Sequence, residues 1–154
     1  ELKGKRILLL GAGGAARGVI EPLLSYQPVE LVVANRTVSK AQDLADLFAE
    51  FGTISGCGFE ELNGSFDVII NATSASLHGE VPPLADDILN DGASCYDMMY
   101  SNEDTAFIAW AKQHGAAKTV DGLGMLAEQA AEAFRIWRGV KPETQAVIQR
   151  IRKL

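Results

Sequence analysis

The chain has 154 residues, a formal net charge of −6, and 47% hydrophobic and 22% charged residues. That balance fits one soluble globular domain with a sizeable core. It argues against a general nucleic-acid surface, and no apolar run approaches the ~20 residues of a membrane span, so no membrane partner is expected.

Residues 6–10 read as a first strand, an apolar run that stops at Gly11-Ala12-Gly13-Gly14-Ala15-Ala16. A helix pattern follows over residues 15–25 and ends before Pro28. Strand, glycine turn, helix is the setting in which G-x-G-x-x-G/A marks a dinucleotide site. Gly11 permits the tight turn, Gly13 lets the main chain approach a pyrophosphate, and Ala16 lets the helix pack close to the strand. The helix N-terminus aims free N–H groups at the phosphates.

Residues 30–34 form the next apolar run, followed by Asn35-Arg36-Thr37 and Lys40. In NAD sites this strand usually ends in an acid that holds the ribose 2′-hydroxyl, about 20 residues after the glycines. No acid stands here. A carboxylate would repel a 2′-phosphate, whereas Arg36 can pair with one bidentately and stack on adenine. The expected cofactor is therefore NADP rather than NAD.

Ser39 is expected to cap a second helix whose apolar face carries Ala41, Leu44, Ala45, Leu47 and Phe48, with Gly52 at its C-cap. Short strands follow at residues 53–56, 67–71 and 93–97. Residues 105–114 read as a helix closed by Gly115. A last strand at 118–120 precedes a long helix over 123–137, and Pro142 opens a final helix at its first turn. The alternation predicts an α/β fold, a doubly wound parallel sheet of Rossmann-like type in a single domain plus C-terminal helices. Ligands in such sheets lie beyond the carboxyl ends of the strands. Five loops there, residues 11–15, 35–37, 71–74, 97–100 and 121–124, are expected to outline one cleft.

Gly11-Ala-Gly-Gly-Ala15, Asn35-Arg36-Thr37, Asn71-Ala72-Thr73-Ser74, Tyr96-Asp97-Met98-Met99-Tyr100 and Asp121-Gly122-Leu123-Gly124-Met125-Leu126 occur in this order. The set resembles the shikimate dehydrogenase family over nearly the whole chain. The resemblance implies NADP-dependent, reversible reduction of 3-dehydroshikimate to shikimate, in aromatic amino-acid biosynthesis. It implies that Gly11, Ala12, Gly13, Gly14 and Ala15 hold the pyrophosphate, and that Asn35, Arg36, Thr37 and Lys40 surround the 2′-phosphate. Thr73 and Ser74 would lie along the cofactor, Met98 and Gly122 would flank the nicotinamide, and Tyr100 and Gln129 would reach the substrate. Two departures stand out: Ala75-Ser76, where the family usually has Gly at the second position, and Lys40, where Arg is common.

The family places a substrate domain before its nucleotide domain, with the catalytic Lys and Asp in the former. Residues 1–127 are expected to be the NADP-binding domain, and 128–154 the helices that return to the missing substrate domain. The chain, which opens on Glu1 with no signal-peptide pattern, is expected to be a cytoplasmic piece of something longer that binds cofactor without catalysis. Other readings are an NAD-using quinate/shikimate relative, which Arg36 disfavours, and a non-catalytic NADP-sensing module. Cys57 and Cys95 are expected as small reduced core residues with no metal spacing. Asp97 is expected as a structural acceptor, His78 as incidental, Trp110 and Trp137 as packing residues, and Glu60, Glu61, Asp86 and Asp87 as solvated acids. The stripe of Ala130, Phe134, Trp137, Val147, Ile148, Ile151 and Leu154 is expected to face the missing domain, with self-association or a mobile final helix in its absence.

Overall fold

The structure, a computed structural model, describes residues 1–153, and at Leu77 the main chain alone. Six strands form one sheet: β1 (Arg6–Leu10), β2 (Glu30–Ala34), β3 (Ile54–Cys57), β4 (Phe66–Asn71), β5 (Leu89–Asp97) and β6 (Lys118–Val120). Their order is β3-β2-β1-β4-β5-β6, and every neighbouring pair is parallel. The helices are α1 (Gly14–Ser25), α2 (Val38–Phe48), α3 (Ala106–Gln113), α4 (Leu123–Arg138) and α5 (Gln145–Ile151).

Side chains alternate across a strand, and a parallel sheet covered on both faces buries both sets. Ile7 and Leu9 join one apolar layer with Ile20, Leu23 and Leu24 of α1 and Ala41 and Leu44 of α2. Leu8 and Leu10 join the opposite layer with Phe107, Ile108 and Ala111 of α3. The central strand is thus buried on both sides, which is why it reads as an unbroken apolar run. Cys95 is buried in the second layer and Cys57 packs at its margin, both as free thiols.

Several ends differ from the sequence expectation. Thr37, extended, takes the N-cap of α2 in place of Ser39, without a side-chain cap. The Asn35 amide donates to the Thr37 carbonyl at 3.0 Å and closes the turn early. Leu47 sits off the inner stripe of α2 and is half exposed. A 3-10 turn, Ala49–Phe51, intervenes between α2 and Gly52, so Gly52 caps that turn instead. Pro142 stands ahead of α5, whose N-cap is the buried Thr144. The Thr144 hydroxyl donates to Glu128 of α4, which fixes where α5 begins. The α5 helix packs on α4 and is tied down by the Arg152–Asp121 ion pair. The last stripe residue, Leu154, lies outside the described residues.

The amino edge of the sheet is stitched by charge. Arg6 Nε donates to Glu30 at 2.9 Å, its Nη1 to the Ser65 carbonyl at 2.7 Å, and its guanidinium lies over the Phe66 ring. Asp67 accepts from the Arg6 main-chain N–H at 2.8 Å. Burial pushes the Asp67 carboxyl up, but that N–H, Lys5 and Asn90 together outweigh it and hold it below the ordinary carboxylate range. A depressed folded-state value contributes stability above the unfolded value of about 3.9, and loses it as pH falls further. Asp67→Asn should therefore flatten the drop in stability below about pH 4 while lowering stability near neutrality, as read by urea denaturation across pH.

Close packing of β3 on α2 depends on Gly56, where a Cβ would lie 2.3 Å from the Ala41 carbonyl. Gly56→Ala should cost about 1–3 kcal/mol by overpacking. At Gly18, exposed within α1, an added Cβ meets nothing within 4 Å. Gly18→Ala should instead gain about 0.5–1 kcal/mol from helix propensity. Denaturation midpoints of the two variants should move in opposite directions.

Candidate functional site

The chain order reverses at β1, whose neighbours are β2 and β4. Beyond the carboxyl ends of these strands lies a cleft of about 700 Å³. The turn after β1 supplies Gly11, Ala12, Gly13, Gly14 and Ala15, the turn after β2 supplies Asn35 and Arg36, and the loop after β4 supplies Ala72, Thr73, Ser74 and Ala75. Gly11 has φ +102°, and a Cβ there would sit 3.2 Å from the Ala72 main chain and the Thr73 methyl. The turn can close against the β4 loop only with glycine here. At Gly13 and Gly14 a Cβ would meet nothing within 4 Å, so the main chain lies open to the cleft.

Gly13 is the N-cap of α1, with no side-chain cap and no acid in the first turn. The first N–H groups of a helix have no partner inside it, and no acid of the first turn competes for them here. Arg36 stands in the same cleft and, among the described residues, forms no ion pair; Lys40, a turn into α2, forms none either. A helix N-terminus and an unpaired guanidinium on one cleft suit a ligand with phosphates at both places. The volume is in the range of small-molecule and cofactor sites.

Under the β4 loop lies a hydrogen-bond network. Asn71 and Asp97, paired in register at the ends of β4 and β5, have no exposed surface. Asp97 Oδ1 accepts from Asn71 Nδ2 at 3.1 Å and from the Met99 N–H at 3.0 Å. Its Oδ2 accepts from the Ser76 hydroxyl at 2.8 Å and the Thr105 hydroxyl at 2.6 Å. Asp97 is thus a structural acceptor, as expected. Asn71 Oδ1 accepts both the N–H and the hydroxyl of Thr73, at 3.1 and 2.7 Å. The Thr73 hydroxyl is engaged inward, and its methyl faces the Gly11 turn. Ser76 belongs to a short 3-10 turn, Ala75–His78, and is held there by its hydroxyl.

The five expected loops do not all line this cleft. The first three do; Met98, Tyr100 and Gly122 are not among its lining. Met98 is buried in the α1 and α2 layer because its side chain continues the inward alternation of β5. Gly122 packs so close to the Met98 carbonyl that no side chain fits, and its N–H donates to Met99 at 3.0 Å. Tyr100 and Gln129 are exposed, on the β5 loop and on α4. Trp137, expected to pack, is 78% exposed, whereas Trp110 stacks between Phe107 and His114. Glu61 accepts from the Gly58 N–H at 2.6 Å and so is more than a solvated acid, whereas Asp86 is a solvated one, 97% exposed beside His114.

The far wall went unread in the sequence. It is made by Phe59, His78, Glu80, Val81, Pro82 and Pro83, which places His78 on the cleft. The rigid Val-Pro-Pro run after Gly79 was the available signal. Neither cysteine offers a nucleophile. Burial pushes the Cys95 thiol up to about 12, and burial with nearby Glu61 raises that of Cys57. Burial, aided by Asp121 and Asp97, likewise raises the Tyr96 phenol. No group of three or more metal-ligating side chains occurs among the described residues.

A parallel sheet in this order with a glycine turn at its switch point defines the Rossmann-like, dinucleotide-binding class of α/β domain. The family model for shikimate / quinate 5-dehydrogenase matches residues 1–79, and that for the shikimate 5′-dehydrogenase C-terminal domain matches residues 122–152. The chain belongs to the shikimate / quinate dehydrogenase family. It is 58% identical to the NADP(+) shikimate dehydrogenase of Cellvibrio japonicus over 153 residues, 99% of this chain and 55% of that protein. It is 59% identical to that of Psychromonas ingrahamii over 98% of this chain and 56% of that protein. The chain therefore spans a little over half the length of these curated relatives. Among solved structures, an Ael1 enzyme from Pseudomonas putida matches with TM-score 0.87 and 48% identity, over 97% of this chain and 55% of that one. A shikimate 5-dehydrogenase from Thermus thermophilus, solved in complex with NADP(H) and shikimate, matches with TM-score 0.78 and 32% identity, over 99% and 56%.

Proposed function

We propose that this chain is the NADP-binding part of a shikimate dehydrogenase, which reversibly reduces 3-dehydroshikimate to shikimate with NADPH. The observation that carries the reading is the open N-terminus of α1 facing the unpaired Arg36 across one cleft. The bound nicotinamide supplies the hydride. The residues of this chain bind and orient. Gly11, Ala12, Gly13, Gly14 and Ala15 take the pyrophosphate on main-chain N–H groups. Asn35, Arg36, Thr37 and Lys40 take the adenosine 2′-phosphate. Ser74 and the main chain at Thr73 form the adjoining wall. Met98 and Gly122 support the nicotinamide end from beneath, and Tyr100 and Gln129 are free to reach substrate.

Residues 128–154 then carry the contact with the substrate-binding part of the longer protein. Phe134, Ile136, Trp137 and Val140 are exposed there. With that part absent, these side chains favour self-association of the chain.

Titration with NADP and NAD side by side tests the cofactor assignment. NADP should bind more tightly. Arg36→Ala should weaken NADP by roughly 1.5–3 kcal/mol, about ten- to a hundred-fold, and NAD far less. Equal losses for both would reject the 2′-phosphate role. Gly13→Ala, whose methyl meets nothing in the protein, should keep the fold and weaken both cofactors alike.

The purified chain should bind NADPH yet fail to oxidise shikimate at rates on the order of 10 s⁻¹, since no acid–base pair of the family maps onto it. Sedimentation across concentration should show association that Trp137→Ser reduces. Turnover at an ordinary enzyme rate, or a strictly monomeric chain, would contradict these assignments.

A further inference from the structure

Among the described residues, Asp97 is the one buried carboxylate at the carboxyl edge of the sheet, and no cation neutralises it. Burying an ionisable group among neutral donors is costly, and an apolar pair would often serve stability better. What the group does is geometric. One oxygen holds two obligate donors, the Asn71 amide and the Met99 N–H; the other holds two rotatable hydroxyls, Ser76 and Thr105. Through Asn71 the network fixes Thr73, whose methyl, with the Ala72 main chain, lies 3.2 Å from where a Cβ at Gly11 would stand, so the loop leaves the turn room for glycine alone. Through Ser76 it fixes the 3-10 turn that carries His78 into the same cleft.

We propose that Asp97, acting through Ser76 and Asn71, is a positioning residue for the dinucleotide. It holds the β4 loop and the following turn at the spacing from the residue 11–14 turn that one pyrophosphate requires. The proposal rests on the dinucleotide reading above. The network reaches the loop beside the glycine turn, not the Asn35–Arg36 side of the cleft. Its loss therefore acts on the part of the ligand that NADP and NAD share.

Ser76→Ala cuts the tie from the loop to Asp97 and takes from the Asn71 amide its second acceptor, at 3.2 Å, while the bond from Asn71 to Asp97 stays. Asp97→Asn keeps an oxygen for the two obligate donors and offers its amide to the two hydroxyls, which can each accept a second bond at the same spacing while their own protons give up the Asp97 acceptor. Ser76→Ala should weaken NADPH and NADH by the same factor, about 3- to 10-fold. Asp97→Asn, which preserves the geometry, should stay within about 3-fold of wild type. Binding is read by cofactor fluorescence well below each variant's urea midpoint, so that a merely structural role would lower the midpoint and leave affinity unchanged. Unchanged affinity for both cofactors in Ser76→Ala overturns the proposal, as does a loss confined to NADPH. A wild-type chain that binds neither cofactor overturns the dinucleotide reading itself.

Discussion

Four neutral donors converge on a carboxylate that water does not reach, and the loops at the carboxyl edge of the sheet take their places from it. The β4 loop, the start of the β5 loop and the N-cap of α3 each make a direct bond to Asp97. The β1 turn is held at one remove, by contact with Ala72 and Thr73. The β6 loop joins through the bond from Gly122 to Met99. Hydrogen bonds in such a low-dielectric setting strengthen one another when all are made, and cost most when one is missing. Every buried polar side-chain atom among the described residues has a partner, so the network stands complete.

The two edges of the sheet divide the work. At the amino edge, Arg6, Glu30, Lys5 and Asp67 neutralise one another across β1, β2 and β4. At the carboxyl edge beside β1 and β2, positive groups are left without partners among the described residues: the first N–H groups of α1 and the Arg36 guanidinium. Paired charges stabilise the chain itself, whereas unpaired ones at the mouth of a cleft are available to a ligand. The same parallel topology produces both, because it places every strand's start on one edge and every strand's end, with its loop, on the other.

This division explains what the sequence made legible. β1 and β2 were readable to the residue, since each is a buried run bounded by glycine or polar residues. The glycine turn and Asn35-Arg36 were readable because strand 1 dictates where strand 2 must end. Helix starts were less so: Thr37 caps α2 because the Asn35 amide reaches its carbonyl, and Thr144 begins α5 because Glu128 lies across from it. Those are tertiary facts with no local signature. Phe59 and residues 80–83 escaped notice because two irregular segments, distant in sequence, meet only once the sheet is assembled. Met98 reads in the sequence as a cofactor residue, and its place as a core side chain required the pleat of β5 to be known.

The α4 helix has sixteen residues, of which only Leu123 and Ala131 are buried, although its apolar content is high. Leu126, Ala130, Phe134 and Trp137 recur at helical spacing along one side and are all exposed. A helix normally turns such a stripe toward its own core. Here the sheet is already covered on both faces, by α1 and α2 on one and α3 on the other, so the stripe has no sheet surface left to meet. Its chemistry is that of an interface, with aromatic residues at the exposed end and small residues between them. In the function proposed above, this helix begins at Gly122 beneath the nicotinamide end and runs out along the surface offered to the substrate-binding part. A contact there would bear directly on the β5 loop through Gly122 and Met99. Covering the stripe and ordering the cofactor's reactive end are then two effects of seating one helix.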